Sequence, residues 1–158
     1  AVAGYPEGHR ECADRGQDIR NLKQKVDAGS DAVITQLFFD NEDYLRFLDE
    51  TRNAGISVPI IPGIMPVTHA GQLEKFSDMC GAKIPDSMRD KIGGLATDQK
   101  AVEAFGIEYA TRQCEELLRE GVPGPHFYTL NKSHATRQIY LNLGLKETNR
   151  QEQDRRAT

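Results

Sequence analysis

Apolar positions recur along the chain in two alternating rhythms: short β-branched and aromatic runs, then stretches where they return every three or four residues. Ala1 to Tyr5 reads as a short strand. Asp14 to Ala28 reads as a helix with Ile19, Leu22 and Val26 at helical spacing, and Gly29 stands where a C-terminal glycine closes such a helix. Ala32 to Phe39 predicts a strand buried deeply enough to lose alternation. Asn41 is placed to cap a second helix, carrying Tyr44, Leu45 and Leu48 towards Ala54 and ending at Gly55. Pro59 to Ile64 predicts a third strand, with the proline at its first position, where a missing N–H does least harm.

A longer segment follows. His69 to Cys80 and Asp86 to Ile92 predict short helices, and Asp98 to Glu120 a long one with Ile107, Ala110, Cys114 and Leu117 as its stripe, stopped by Gly121. His126 to Leu130 predicts a fourth strand, and Ser133 caps a last helix running through Ile139 and Leu143 to Gly144. Residues 1–145 read as one domain; Lys146 to Thr158 has no apolar periodicity and reads as a solvated polar tail. Strand–helix alternation without hairpin signals means parallel strands joined by helical crossovers. An open doubly wound sheet and part of a (β/α)8 TIM barrel both offer that α/β pattern. No G-x-G-x-x-G or phosphate-cradling glycine loop follows any strand, which weakens the dinucleotide-binding sheet. A whole barrel takes about 250 residues and eight strands, so four β-α units amount to half of one.

Composition narrows the function classes. The chain has 158 residues, 38% of them hydrophobic, and a mean hydropathy of −0.59, which fits a domain whose core is completed by something else. A net charge of −4, with no lysine–arginine cluster, argues against a nucleic-acid partner. No apolar run approaches the roughly 18 residues that span a bilayer, and Ala1 to Gly4 lead straight into Tyr5-Pro6-Glu7 without a signal-peptide pattern. Cys12, Cys80 and Cys114 are odd in number and widely spaced, so a reducing, cytoplasmic setting is expected and a disulfide framework is not.

In barrels the working residues sit where strands end, on the C-terminal face. Four stretches lie there: Tyr5 to His9, Gln36, Gly63 to Pro66, and Tyr128 to Lys132. Asp18, Asn21 and Lys25 line one helix face at i, i+3, i+7, about 100° from the buried stripe. A solvated face is the ordinary reading of that spacing; a carboxylate, an amide and an ammonium meeting ribose and phosphate is the other. Gln36 ends an apolar strand, where an amide is costly unless its donor and acceptor are both used. A neighbouring loop backbone or a pterin ring would satisfy it. His9, Glu11 and Cys12 lack a second ligand cluster, so no metal site is expected. Cys114 belongs to the helix stripe as core, and His69 and His134 read as helix-start surface residues. The sequon Asn131-Lys132-Ser133 carries no weight without a secretory signal.

The stretch Thr35-Gln36-Leu37-Phe38-Phe39-Asp40, with Gly4-Tyr5-Pro6-Glu7-Gly8-His9 before it and His126-Phe127-Tyr128-Thr129-Leu130-Asn131 after it, resembles methylenetetrahydrofolate reductase, a flavin enzyme on a (β/α)8 barrel. The likeness runs from Ala1 to about Leu145 and covers the second half of that barrel. It implies FAD contacts for Tyr5, His9, Asp18, Asn21 and Lys25, and folate contacts for Gln36 and Gln72. It also implies stacking of Phe76 on folate or nicotinamide, and a place for Lys132 near the folate tail. Gln24 stands where relatives can carry a second basic residue, and Lys132 where they can have arginine.

The resemblance further implies the chemistry of one-carbon and methionine metabolism. NADH or NADPH passes hydride to FAD, and reduced FAD passes it to methylenetetrahydrofolate, whose ring an acid opens, giving methyltetrahydrofolate. That acid belongs to the first four strands, which nothing in this sequence resembles, so the catalytic residue is not assigned; Glu7 and Asp40 lie outside its context. A homo-oligomer is expected of the complete enzyme. Two rivals stand beside this reading: a truncated, non-catalytic fragment that needs its N-terminal half to bind FAD, and a small unrelated α/β binding protein.

Overall fold

Asp14, in extended conformation, accepts the Gln17 backbone N–H at 3.1 Å and so opens helix α1 (Arg15–Asp27). The same device opens α2 (Asn41–Asn53), but with Asp40 as cap, accepting from Glu42 N at 3.0 Å; Asn41, expected as the cap, is the first helical residue. Both helices end at glycines with positive φ, Gly29 and Gly55, as their positions in the sequence predict. These elements belong to a computed structural model that describes residues 1–145; the predicted polar tail lies outside the described residues.

Strands β1 (Val2–Gly4), β2 (Val33–Leu37), β3 (Ile60–Ile64) and β4 (His126–Phe127) form one parallel sheet in the order β1-β2-β3-β4. After β3 come α3 (Gln72–Cys80), α4 (Asp86–Leu95) and α5 (Gln99–Arg119), and after β4 comes α6 (His134–Asn142). Three boundaries differ from expectation. β4 is shorter than His126 to Leu130, because the chain leaves extended geometry and turns through positive φ at Leu130 and Asn131. α3 begins at Gln72, with its side-chain oxygen accepting from Thr68 N and His69 N in the lead-in. Ser133 precedes α6 without making a side-chain cap bond.

β2 also alternates in burial, against the expectation of a uniformly buried strand. The helices explain it, because they cover one face of the sheet. Val33 and Ile60 pack there against Ile19 and Leu22 of α1, Tyr44 and Phe47 of α2, Ile107, Cys114 and Leu117 of α5, and Ile139 of α6. Ala3, Ile34 and Ile61, paired in register across β1 to β3, form a row on the other face and stay more exposed. A second apolar cluster sits at the C-terminal end of the sheet. It joins Leu37, Phe39, Met65 and Val67 to α3, α4 and the start of α5. There α5 touches the Val67 backbone so closely that a Cβ on Gly106 would come within 1.7 Å of the Val67 oxygen.

Candidate functional site

Parallel pairing turns every strand the same way, so Tyr5, Gln36, Gly63 to Pro66 and Tyr128 all fall at the C-terminal end of the sheet. The loop leaving β1 is held by Arg15, a residue that periodicity does not single out. Its guanidinium donates to Tyr5 O at 2.8 Å and Pro6 O at 2.9 Å, pairs with Glu50 at 2.6 Å, and lies over the Phe47 ring. Tyr5 and His9 meet edge to face, with ring centroids 4.5 Å apart. Asp18 was expected to be accessible, but it is 8% exposed, because its carboxylate is occupied by the His9 backbone N–H at 3.1 Å. Tyr5, Asp18 and Lys25 nevertheless line one small cleft. Asn21 is half-buried and accepts from Gln17 Nε2, and Lys25 is exposed at the end of the line.

At the neighbouring strand ends, Gln36 Oε1 accepts the Leu37 N–H at 3.0 Å, while its amide Nε2 makes no bond among the described residues. Tyr128 follows β4, its N–H bonded to Ile64 O and its hydroxyl donated to Thr35 O at 2.8 Å. Burial raises the Tyr128 phenol above its ordinary value, with Cys80 and Tyr5 adding to the shift, so at neutral pH it is a donor. Beside it a cavity of about 460 Å³ is lined by Met65, Pro66, His69, Gln72, Tyr128 and Lys132. The structure thus brings Gln72 and Lys132 to one cavity with Tyr128. A larger groove of about 580 Å³ lies between α2 and α5 and shares none of the candidate residues.

Phe76 lies deeper than the other candidates. Its ring, expected as a stacking surface, is 1% exposed within the second apolar cluster. Helical spacing from Gln72 puts the two a turn apart, yet packing against the neighbouring apolar side chains turns Phe76 inward. Asp40 is occupied as the cap of α2.

Glu7 is a titratable group that strand-end reasoning passed over. Its Oε2 accepts the Lys83 N–H at 2.9 Å, and its buried Oε1 has no hydrogen-bond donor among the described residues. Burial pushes its carboxyl up to about 7; the Lys83 N–H opposes this and the facing Asp43 carboxyl adds to it. Asp43 in turn pairs with Arg46 and lies 3.7 Å from Lys83 Nζ. Cys114 is buried in the helix stripe, its thiol pushed up to about 12 by desolvation, as suits core packing. Among the described residues there is no group of three or more His, Cys, Asp or Glu that could hold a metal ion.

The family model described as methylenetetrahydrofolate reductase matches residues 1–144. The chain belongs to the methylenetetrahydrofolate reductase family. It is 45% identical over 146 residues to the 5,10-methylenetetrahydrofolate reductase of Escherichia coli K12, covering 92% of this chain and 49% of that protein. It is 37% identical to methylenetetrahydrofolate reductase (NADH) 1 of Arabidopsis thaliana, covering 91% of this chain and 26% of that protein. The chain therefore spans about half the length of the bacterial relative and a quarter of the plant one. Among solved structures, an uncharacterized Clostridium thermocellum protein described as binding two copies of 5-methyl-5,6,7,8-tetrahydrofolic acid superposes with a TM-score of 0.57 at 20% identity. The likeness covers 90% of this chain and 51% of that one, and it is a likeness of fold. No helix among the described residues of this reductase-family chain is long and apolar enough to cross a membrane.

Proposed function

We propose that residues 1–145 form the C-terminal half of the (β/α)8 barrel of a cytoplasmic, homo-oligomeric methylenetetrahydrofolate reductase. In it, NADH or NADPH and one proton convert methylenetetrahydrofolate to methyltetrahydrofolate through FAD. The observation that carries the reading is the convergence at one rim of the Tyr5–His9 loop, Gln36 with an uncommitted amide, and the cavity of Gln72, Tyr128 and Lys132. Helices on one face of a parallel sheet, with Ala3, Ile34 and Ile61 facing the other way, suit a wall of a closed barrel. The plant relative's name carries NADH, which favours that reductant.

The residues at the β1 rim fit FAD by their chemistry. Lys25 offers an exposed ammonium to a diphosphate, and Asp18 and Asn21 offer oxygens to ribose hydroxyls. Tyr5 and His9 supply ring edges beside the flavin. A bound flavin supplies hydride transfer. The chain's own residues bind and orient: Arg15 holds the loop, Gln36 gives its amide to the pterin, and Gln72 and Lys132 line the way in for the folate tail. Phe76, one turn after Gln72 on α3, is the ring proposed to stack on folate or nicotinamide. The proton donor to the folate nitrogen is assigned to the other half of the barrel.

Gln36→Glu in the full-length protein tests this. The substitution keeps shape but replaces the amide donor by an acceptor, so the folate half-reaction should slow more than flavin reduction by nicotinamide. Equal losses in both would show that Gln36 serves the flavin or the fold.

A second reading, in which these residues hold FAD and act only together with the other half of the barrel, is favoured by the less covered Ala3–Ile34–Ile61 face. On this reading the 158-residue polypeptide alone self-associates, holds FAD poorly and has no reductase activity. A monomeric, yellow preparation with stoichiometric flavin would overturn it.

A further inference from the structure

We propose that Tyr128 is the positioning residue for Gln36: its hydroxyl reaches across β3 and fixes the Thr35–Gln36 peptide, so that the Gln36 amide is presented to the reduced pterin. The inference deepens the folate reading of Gln36 and rests on it.

The reason lies in the sheet register. β2 and β3 pair Ile34 with Ile61 but Leu37 with Gly63, so β2 carries one extra residue at Thr35–Gln36. Pro62 stands opposite that bulge, and a proline has no N–H to give the ladder. Side chains take over the pairing. Thr35 Oγ1 accepts the Gly63 N–H at 2.9 Å, and the Thr35 carbonyl accepts the Tyr128 hydroxyl at 2.8 Å, a contact 93 residues apart in sequence.

Tyr128 can reach Thr35 only because Gly63 has no side chain. A Cβ there would meet the Tyr128 ring at 2.7 Å and the Thr35 oxygen at 2.2 Å. Thr35 is fully buried, so without the hydroxyl its carbonyl would have to turn to find another donor. That carbonyl and the Gln36 N–H belong to one planar peptide. Turning it rotates Gln36 at its root, and the Gln36 side chain, folded back on Leu37 N, turns with it. The same Tyr128 ring borders the cavity of Gln72 and Lys132, so one residue couples the pterin amide to the wall of the tail site.

The experiment is Tyr128→Phe in the full-length protein, which removes one oxygen and keeps the ring. Methyltetrahydrofolate affinity should fall about three- to tenfold, the size of one buried neutral hydrogen bond, while flavin reduction by nicotinamide keeps its rate. In a double-mutant cycle with Gln36→Ala, the second substitution should add little, because both act through one amide. Parental folate affinity in Tyr128→Phe, or fully additive losses, overturns the proposal. If Gln36→Ala itself leaves folate affinity at the parental value, the folate reading falls. The positioning role is then decided by a crystal structure of Tyr128→Phe: a turned Thr35–Gln36 peptide supports it and an unmoved one overturns it.

Discussion

Asp18 Oδ2 accepts the His9 backbone N–H at 3.1 Å, which ties the first turns of α1 to the loop leaving β1. The same carboxylate lies 3.7 Å from Arg15 Nη1, whose guanidinium grips Tyr5 and Pro6 of that loop. A carboxylate expected at an open cofactor rim is thus also the hinge pin of the rim. Asp18→Ala should cost about 1–3 kcal/mol of stability, the penalty of leaving a part-buried N–H without an acceptor, and should weaken flavin binding with it. Asp18→Asn retains an acceptor and should recover most of the stability. Urea unfolding of the three proteins checks both, and equal stability of Asp18→Ala and parent would remove Asp18 from this role.

Lys25 is exposed and sits past the end of that network. Lys25→Ala should leave unfolding midpoints nearly unchanged while weakening FAD retention by roughly 1.5–3 kcal/mol, as expected for one charged phosphate contact. Flavin release on dilution, followed by fluorescence, measures it. Retention equal to the parent would show the helix face to be solvated surface only.

Glu7 predicts a pH dependence. Its folded carboxyl is raised from 4.5 to about 7, so the folded state holds the proton more tightly than the unfolded chain. The sign follows: stability is greatest below about pH 4.5 for this group and is lost as pH rises through about 7. Glu7→Gln keeps an acceptor for Lys83 N and supplies a permanent donor towards Asp43. It should match the parent at about pH 4 and exceed it at about pH 8 by on the order of 1–2 kcal/mol, allowing for solvent screening at a half-buried group. Identical pH profiles of unfolding would rule out a protonated Glu7.

Two glycines should respond oppositely to alanine. At Gly63 a Cβ would lie 2.2 Å from the Thr35 oxygen, which is backbone and cannot swing away, so Gly63→Ala should destabilise by about 1–3 kcal/mol or more. Gly93, inside α4, has no described residue within 4 Å of an added Cβ, so Gly93→Ala should stabilise by about 0.5–1 kcal/mol. Thermal melts of the pair decide it, and destabilisation by both would contradict the open surroundings of Gly93.

Much of the architecture is written locally. Ile19 and Leu22 at helical spacing, Asp14 before them and Gly29 after them specify α1, because caps and periodicity act over a few residues. β-α alternation then dictates parallel strands, and parallel strands dictate that Tyr5, Gln36 and Tyr128 share one end of the sheet. The candidate site was legible to that extent, as a set of strand ends.

What tertiary structure alone decided depends on groups far apart in sequence. The Tyr128–Thr35 bond spans 93 residues, and position 63 needs glycine because a Cβ there would meet the Thr35 oxygen at 2.2 Å and the Tyr128 ring at 2.7 Å. Phe76 and Gln72 share a helix, but apolar neighbours from several other elements turn Phe76 into the core while Gln72 stays at the cavity. Asp18 has the spacing of a surface carboxylate, and a loop N–H nine residues away buries it. Local sequence sets backbone conformation through short-range sterics and hydrogen bonds, whereas burial and partnership are set by which segments the fold brings into contact.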